Sequence, residues 1–130
     1  MILHITRNRS IDEVQKDFNR LYPFLKIEFY KNNDGESRSH KRQNVLNSMP
    51  VVRAGLLKNG DIELNDSMTV GQLENIFRTE FGLSAQVCRK SGAVWLETTM
   101  TDGWTLKQQN DHGKELSEPV KTNKAGNDWD

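Results

Sequence analysis

Residues 2–31, ILHITRNRSIDEVQKDFNRLYPFLKIEFYK, and residues 61–90, DIELNDSMTVGQLENIFRTEFGLSAQVCRK, read as one segment written twice. At a constant offset of 59 positions, Ser10 falls on Thr69, Ile11 on Val70, Val14 on Leu73, Phe18 on Phe77 and Tyr22 on Phe81. One extra residue near Pro23 and Phe24 then brings Leu25 onto Leu83, Ile27 onto Ala85 and Phe29 onto Val87. The repeat decides the architecture, because each copy spells a β-α-β unit.

The first copy opens with a short strand, Ile2 to Ile5. Ser10 with Glu13 forms a capping box, in which two free backbone donors at a helix start are satisfied together. Ile11, Val14, Phe18, Leu21 and Tyr22 recur at helical spacing, and Pro23 ends the helix. Leu25, Ile27 and Phe29 then alternate with Lys26, Glu28 and Tyr30, as in a strand with one buried face. The second copy repeats the scheme. Ile62 and Leu64 mark the strand, and Thr69 with Gln72 the capping box. Val70, Leu73, Ile76, Phe77 and Phe81 make the stripe, Gly82 the stop. Ala85 and Val87 are expected inside, with Ser84, Gln86 and Cys88 outside.

The second unit extends further. A turn at Lys90, Ser91 and Gly92, followed by strand formers from Ala93 to Thr99, predicts a hairpin from about Ser84 to Thr99. Asp102-Gly103 turns the chain, and Trp104 and Leu106 pin a last segment ending near Asn110. Residues 32–48 are expected to be a mobile loop, polar as far as Asn44. Asn59-Gly60 is a strong hairpin dipeptide, so Leu56-Leu57-Lys58 is read as a strand paired with Asp61 to Leu64. A short helix from Pro50 competes with that reading. Residues 111–130 are polar, without apolar periodicity, and are expected to be a disordered tail.

Two β-α-β units in series with right-handed crossovers predict an α+β fold of one domain, residues 1–110. The expected form is a ferredoxin-like sandwich: an antiparallel sheet, both helices on one face, and an extra C-terminal hairpin strand. That fold hosts many unrelated activities, so it implies none.

A chain of 130 residues is long enough for one core without staples. Lysines and arginines number 18, as do aspartates and glutamates, so no global field steers the chain toward nucleic acid or membrane. The single cysteine, Cys88, forbids an intrachain disulfide and fits a reducing cytoplasm. Met1 leads straight into Ile2, Leu3 and Ile5, and no stretch approaches membrane-span length. A soluble, cytoplasmic protein is expected.

Little in the chain carries chemistry. His4, His40 and His112 are scattered, with no metal-ligand spacing and no thiol pair. Cys88 lies beside Arg89 and Lys90, which could lower its pKa, but has no histidine near it in sequence. No nucleophile elbow, phosphate loop or dinucleotide fingerprint is present. Asp12, Glu13 and Asp17 read as helix-start charges and a solvated face. No catalytic residue, cofactor or metal is expected.

Two binding surfaces compete. Arg38, His40, Lys41 and Arg42 cluster in the middle loop, with Arg89 and Lys90 in the hairpin. Nucleic acid is therefore a possible partner through Arg38, Lys41, Arg42, Arg89 and Lys90. Neither central strand offers the alternate aromatics on which RNA-binding sheets stack bases. The leading expectation is instead a sheet edge. The strand Val94-Trp95-Leu96-Glu97-Thr98-Thr99 has apolar side chains on both faces, and such an edge needs a cover or a partner. Thr101 to Asn110 can supply a cover by folding Trp104 back. Where the cover is incomplete, a protein partner or a homodimer docks at Tyr30, Trp95, Leu96, Thr98 and Trp104.

Residues 68–110 contain Thr-Val-x-x-Leu-Glu, Phe-Gly-Leu-Ser, Arg-Lys-Ser-Gly, Trp-Leu-Glu-Thr and Trp-Thr-Leu. Through these the segment resembles a family of small bacterial proteins with no established activity. The resemblance implies that the second unit and the Trp104 segment form one structural piece. It also implies an apolar residue where Cys88 stands, and it supplies no catalytic residue.

Overall fold

A computed structural model describes residues 1–31, 43–44 and 49–118. The elements run β1 (Ile2–Ile5), α1 (Ile11–Leu21), β2 (Leu25–Lys31), β3 (Gln43–Asn44) and a 3₁₀ turn (Val51–Ala54). They continue with β4 (Gly60–Glu63), α2 (Val70–Ile76), a π turn (Phe77–Phe81), β5 (Ser84–Ser91) and β6 (Val94–Glu97). A second 3₁₀ turn (Thr99–Thr101) and α3 (Leu106–Ser117) follow.

Both expected capping boxes are present. Glu13 N–H donates to Ser10 Oγ at 3.1 Å while Ser10 N–H donates to Glu13 Oε1 at 2.9 Å. Thr69 and Gln72 repeat the exchange at 3.1 and 2.8 Å. Each cap fixes where its helix starts, and so which stripe turns inward. Ile11, Val14 and Phe18 of α1, and Val70, Leu73 and Phe77 of the second helix, are fully buried. Phe29 of β2 meets Phe77 edge to face, ring centroids 5.4 Å apart. Burying side chains of this size contributes about 1.5–3 kcal/mol each.

The fold is α+β, but its strands divide between two antiparallel sheets. β1 pairs with β4, and the other sheet has the order β3-β2-β5-β6. The single ferredoxin-like sheet expected from the repeat requires both strands of a β-α-β unit to share a sheet. Here the first strands pair with each other, and the second strands pair with each other elsewhere. The cause is visible at the edges of β2 and β5. β2 is paired by β5 on one side; on its other side β3 takes its end, Tyr30 and Lys31. Gln15 of α1 donates to Ile27 O at 2.8 Å, and Asn19 donates to Leu25 O at 2.8 Å. On β5, Val87 N–H donates to Glu74 of α2 at 2.8 Å. Helix side chains thus occupy the backbone groups that a neighbouring first strand would have used.

The two units are related by an approximate two-fold axis. Leu3 pairs with Ile62, its own counterpart in the other repeat, and Glu28 pairs with its counterpart Gln86. Self-pairing of equivalent positions at two separate places defines such an axis. The repeat also extends beyond the strands and helices read from the sequence. Ser10 bridges to Pro50 as Thr69 bridges to Thr105. Ile11 N–H donates to Met49 O and Val70 N–H to Trp104 O, at 2.9 and 3.0 Å. The 3₁₀ turn at Val51 therefore stands where α3 begins in the second unit. A third capping box, Thr105 with Gln108, starts that helix.

Three further expectations are corrected. Residues 56–58 form no strand: Leu57 N–H donates to Phe81 O, and Asn59 accepts the Arg7 N–H instead of turning a hairpin. The competing short helix from Pro50 is present as the 3₁₀ turn Val51–Ala54. Residues 111–117, expected in a disordered tail, belong to α3, so the ordered domain runs past 110. That helix buries Leu106, Gln109 and Gly113, an inward face with one large apolar residue and hence no hydrophobic stripe. Gln86 and Cys88, expected outside, are 6% and 5% exposed. The expected mobile loop, apart from Gln43 and Asn44, and residues 119–130 of the expected tail lie outside the described residues.

Candidate protein-interaction edge

β6 is the last strand of its sheet, reached from β5 through a turn in which Gly92 has φ 63°, a backbone conformation suited to glycine. The ladder pairs Cys88 with Glu97, Arg89 with Leu96, Lys90 with Trp95 and Ser91 with Val94. Thr98 N–H donates to Val87 O at 3.3 Å. In an antiparallel ladder the N–H and C=O of one residue point to the same side, alternating along the strand. Val94, Leu96 and Thr98 therefore turn their peptide groups toward β5, and Trp95 and Glu97 turn theirs away from it. Among the described residues nothing pairs with that outer side of β6.

The two faces of β6 differ. Val94 and Leu96 share the face of Leu25 and Arg89, and stay 54% and 43% exposed. Met100, in the turn after β6, and Leu116, near the end of α3, are also exposed. Gly92 N–H donates to Ser117 Oγ at 3.1 Å, which ties that end of α3 to the hairpin turn. On the opposite face Trp95 is half-buried beneath two ammonium groups. Lys26 Nζ lies 5.2 Å and Lys90 Nζ 5.9 Å from its ring centroid. Such contacts contribute about 0.5–1 kcal/mol at exposed sites. Lys26 also pairs with Glu28 at 2.8 Å. Glu97 is exposed and has no ion pair among the described residues.

The remaining expected site residues are placed as follows. Thr98 is 1% exposed, and its hydroxyl donates to Val87 O at 2.9 Å, so it closes the hairpin from within. Trp104 is exposed and sits edge-on to His112 of α3, 5.4 Å between centroids. Tyr30 lies in β2 between Asn44 and Ser84, two strands away from the edge. The structure thus brings together Trp95 and Leu96 on one strand and leaves Tyr30 elsewhere. Sequence reasoning missed Lys26, whose place beside Trp95 depends on β2 pairing with β5, and Glu97, whose alternation with Trp95 was legible.

The basic residues diverge. Arg89 and Lys90 are consecutive in β5 and point to opposite faces. Arg89 Nη1 donates to the buried Gln109 Oε1 at 2.9 Å, while Lys90 lies over Trp95. Arg38, Lys41 and Arg42 lie outside the described residues.

Among the described residues no group of His, Cys, Asp and Glu is placed to hold a metal ion. Burial, then the charges of Glu28 and Glu97, push the Cys88 thiol up to about 11, so it carries no thiolate at neutral pH. Two clefts of about 270 and 310 Å³ flank the two-fold axis. Gln15, Asn19, Lys26 and Glu28 line the first; their counterparts Glu74, Arg78, Ser84 and Gln86 line the second. Gln15 and Asn19 of the first, and Glu74 of the second, serve to cap strand backbone. No helix among the described residues is long and apolar enough to cross a membrane. No protein-family model, curated protein or solved structure matches the chain.

Proposed function

We propose that this protein is a non-catalytic interaction module that accepts a strand of another polypeptide along β6. The observation that carries this reading is the alignment of two features on one strand. Trp95 and Glu97 turn peptide groups away from the sheet, and Val94 and Leu96 leave apolar surface exposed beside them. Main-chain groups supply affinity in strand addition, and alternate side chains supply selectivity. Exposed apolar edges without a bulge, proline or covering helix are otherwise avoided.

The test is capture from native cytosol with the tagged wild type and with Glu97→Pro. The proline removes one outward N–H and leaves the β5 ladder intact. A stoichiometric protein that survives nuclease, and is lost with Glu97→Pro at unchanged thermal stability, supports the reading. Equal capture by both forms, or capture abolished by nuclease, overturns it.

A further inference from the structure

We infer that the strand received by β6 is the β6 of a second copy of this chain, antiparallel and centred on Leu96, so that two four-stranded sheets join into one. This rests on the reading of β6 as a docking edge and names its occupant.

The register follows from symmetry and charge. A two-fold axis perpendicular to a joined sheet keeps each side chain on its own face, so one residue of β6 must lie opposite its own copy. Centring on Glu97 sets two carboxylates directly opposite each other, which is repulsive. Centring on Trp95 sets the Lys26 and Lys90 ammonium groups of one copy against those of the other. Centring on Leu96 sets Glu97 of each copy opposite Trp95 of the other, beside the two ammonium groups that flank that ring. Glu97, without an ion pair among the described residues, then gains one in each half of the dimer.

The same register satisfies the backbone. Trp95 and Glu97 are the residues whose peptide groups face away from β5, and they become the hydrogen-bonded pairs on either side of the axis. On the other face the two Leu96 side chains meet at the axis, with Val94 flanking them, which covers the exposed apolar surface of the strand. One choice of register therefore closes the hydrogen bonds, the charges and the apolar contacts together.

Sedimentation equilibrium and cross-linking test this on the full chain. The wild type is expected to be a dimer. Leu96 and its copy would form a non-hydrogen-bonded pair, whose Cα separation of about 4.5 Å lies in the disulfide range. Leu96→Cys should therefore oxidise to a covalent dimer, while Leu57→Cys, at a position more exposed than Leu96, should not. Glu97→Lys should weaken the dimer by roughly tenfold, and Lys90→Glu in the same chain should restore much of it. A folded wild type that stays monomeric at high concentration, or a dimer indifferent to both Glu97→Lys and Leu96→Lys, overturns the proposal. A monomer that still captures a foreign protein through β6 overturns self-pairing alone; a monomer with no β6-dependent capture overturns both readings.

Discussion

Glu28 stands directly opposite Gln86 across β2 and β5, and the two are the same position of the two repeats. The axis between them organises the polar contacts nearby. Gln15 and Glu74, also counterparts, reach from α1 and α2 to strand backbone on opposite sides of the axis. Glu74 accepts from Val87 N–H and from Gln86 Nε2, so Glu74→Ala strands a buried amide. The expected loss is about 1–3 kcal/mol in urea unfolding. Gln15→Ala, which removes a donor from one carbonyl, should cost less, since a carbonyl tolerates loss of a partner better than a buried N–H.

Gly113 lies where α3 crosses the chain at Phe24. A methyl group there would sit 2.9 Å from Phe24 Cβ and 3.0 Å from Arg89 Cγ. Gly→Ala inside a helix ordinarily stabilises by about 1 kcal/mol. Here Gly113→Ala is expected to destabilise by about 1–3 kcal/mol through overpacking. Thermal unfolding of the variant decides the sign.

Cys88 should resist alkylation in the native protein at pH 8 and react only on unfolding. Its folded pKa of about 11 lies above the ordinary 9.0. The unfolded thiol ionises first as pH rises, so the folded form binds more protons between these values. Stability from this group is therefore present below pH 9 and falls with rising pH from about 9 to 11. Cys88→Ala should flatten that part of the stability profile.

Asp17 behaves in the opposite sense. Burial alone would raise its pKa, but hydrogen bonds and charge from Arg9, and then from Arg20, hold the carboxyl below its ordinary 3.8. Arg9 Nη2 lies 2.8 Å from Asp17. The contribution is fully present above the unfolded value and is lost as pH falls through the folded one. Asp17→Asn should leave a shallower acid limb below about pH 4, measured by denaturant titration across pH.

The local elements were legible because their signals are local. Ser10 with Glu13 and Thr69 with Gln72 announce two helices, and the alternation from Leu25 to Tyr30 announces β2. The division into two sheets was not legible, since it depends on which strand edges Gln15, Asn19 and Glu74 occupy. α3 was missed because Gln109 and Gly113, two of its buried residues, carry no hydrophobic signal. At the site, Trp95 and Leu96 could be read from composition. The position of Lys26 over Trp95 required knowing that β2 and β5 are neighbours.

The most direct test of β6 as a docking edge is amide hydrogen exchange along the strand, in dilute protein and in the assembled state. In dilute protein the amides of Val94, Leu96 and Thr98 should be protected by β5, while those of Trp95 and Glu97 exchange freely. On assembly Trp95 and Glu97 alone should become protected. Protection of these two amides already in the dilute monomer, or none gained on assembly, would contradict the account.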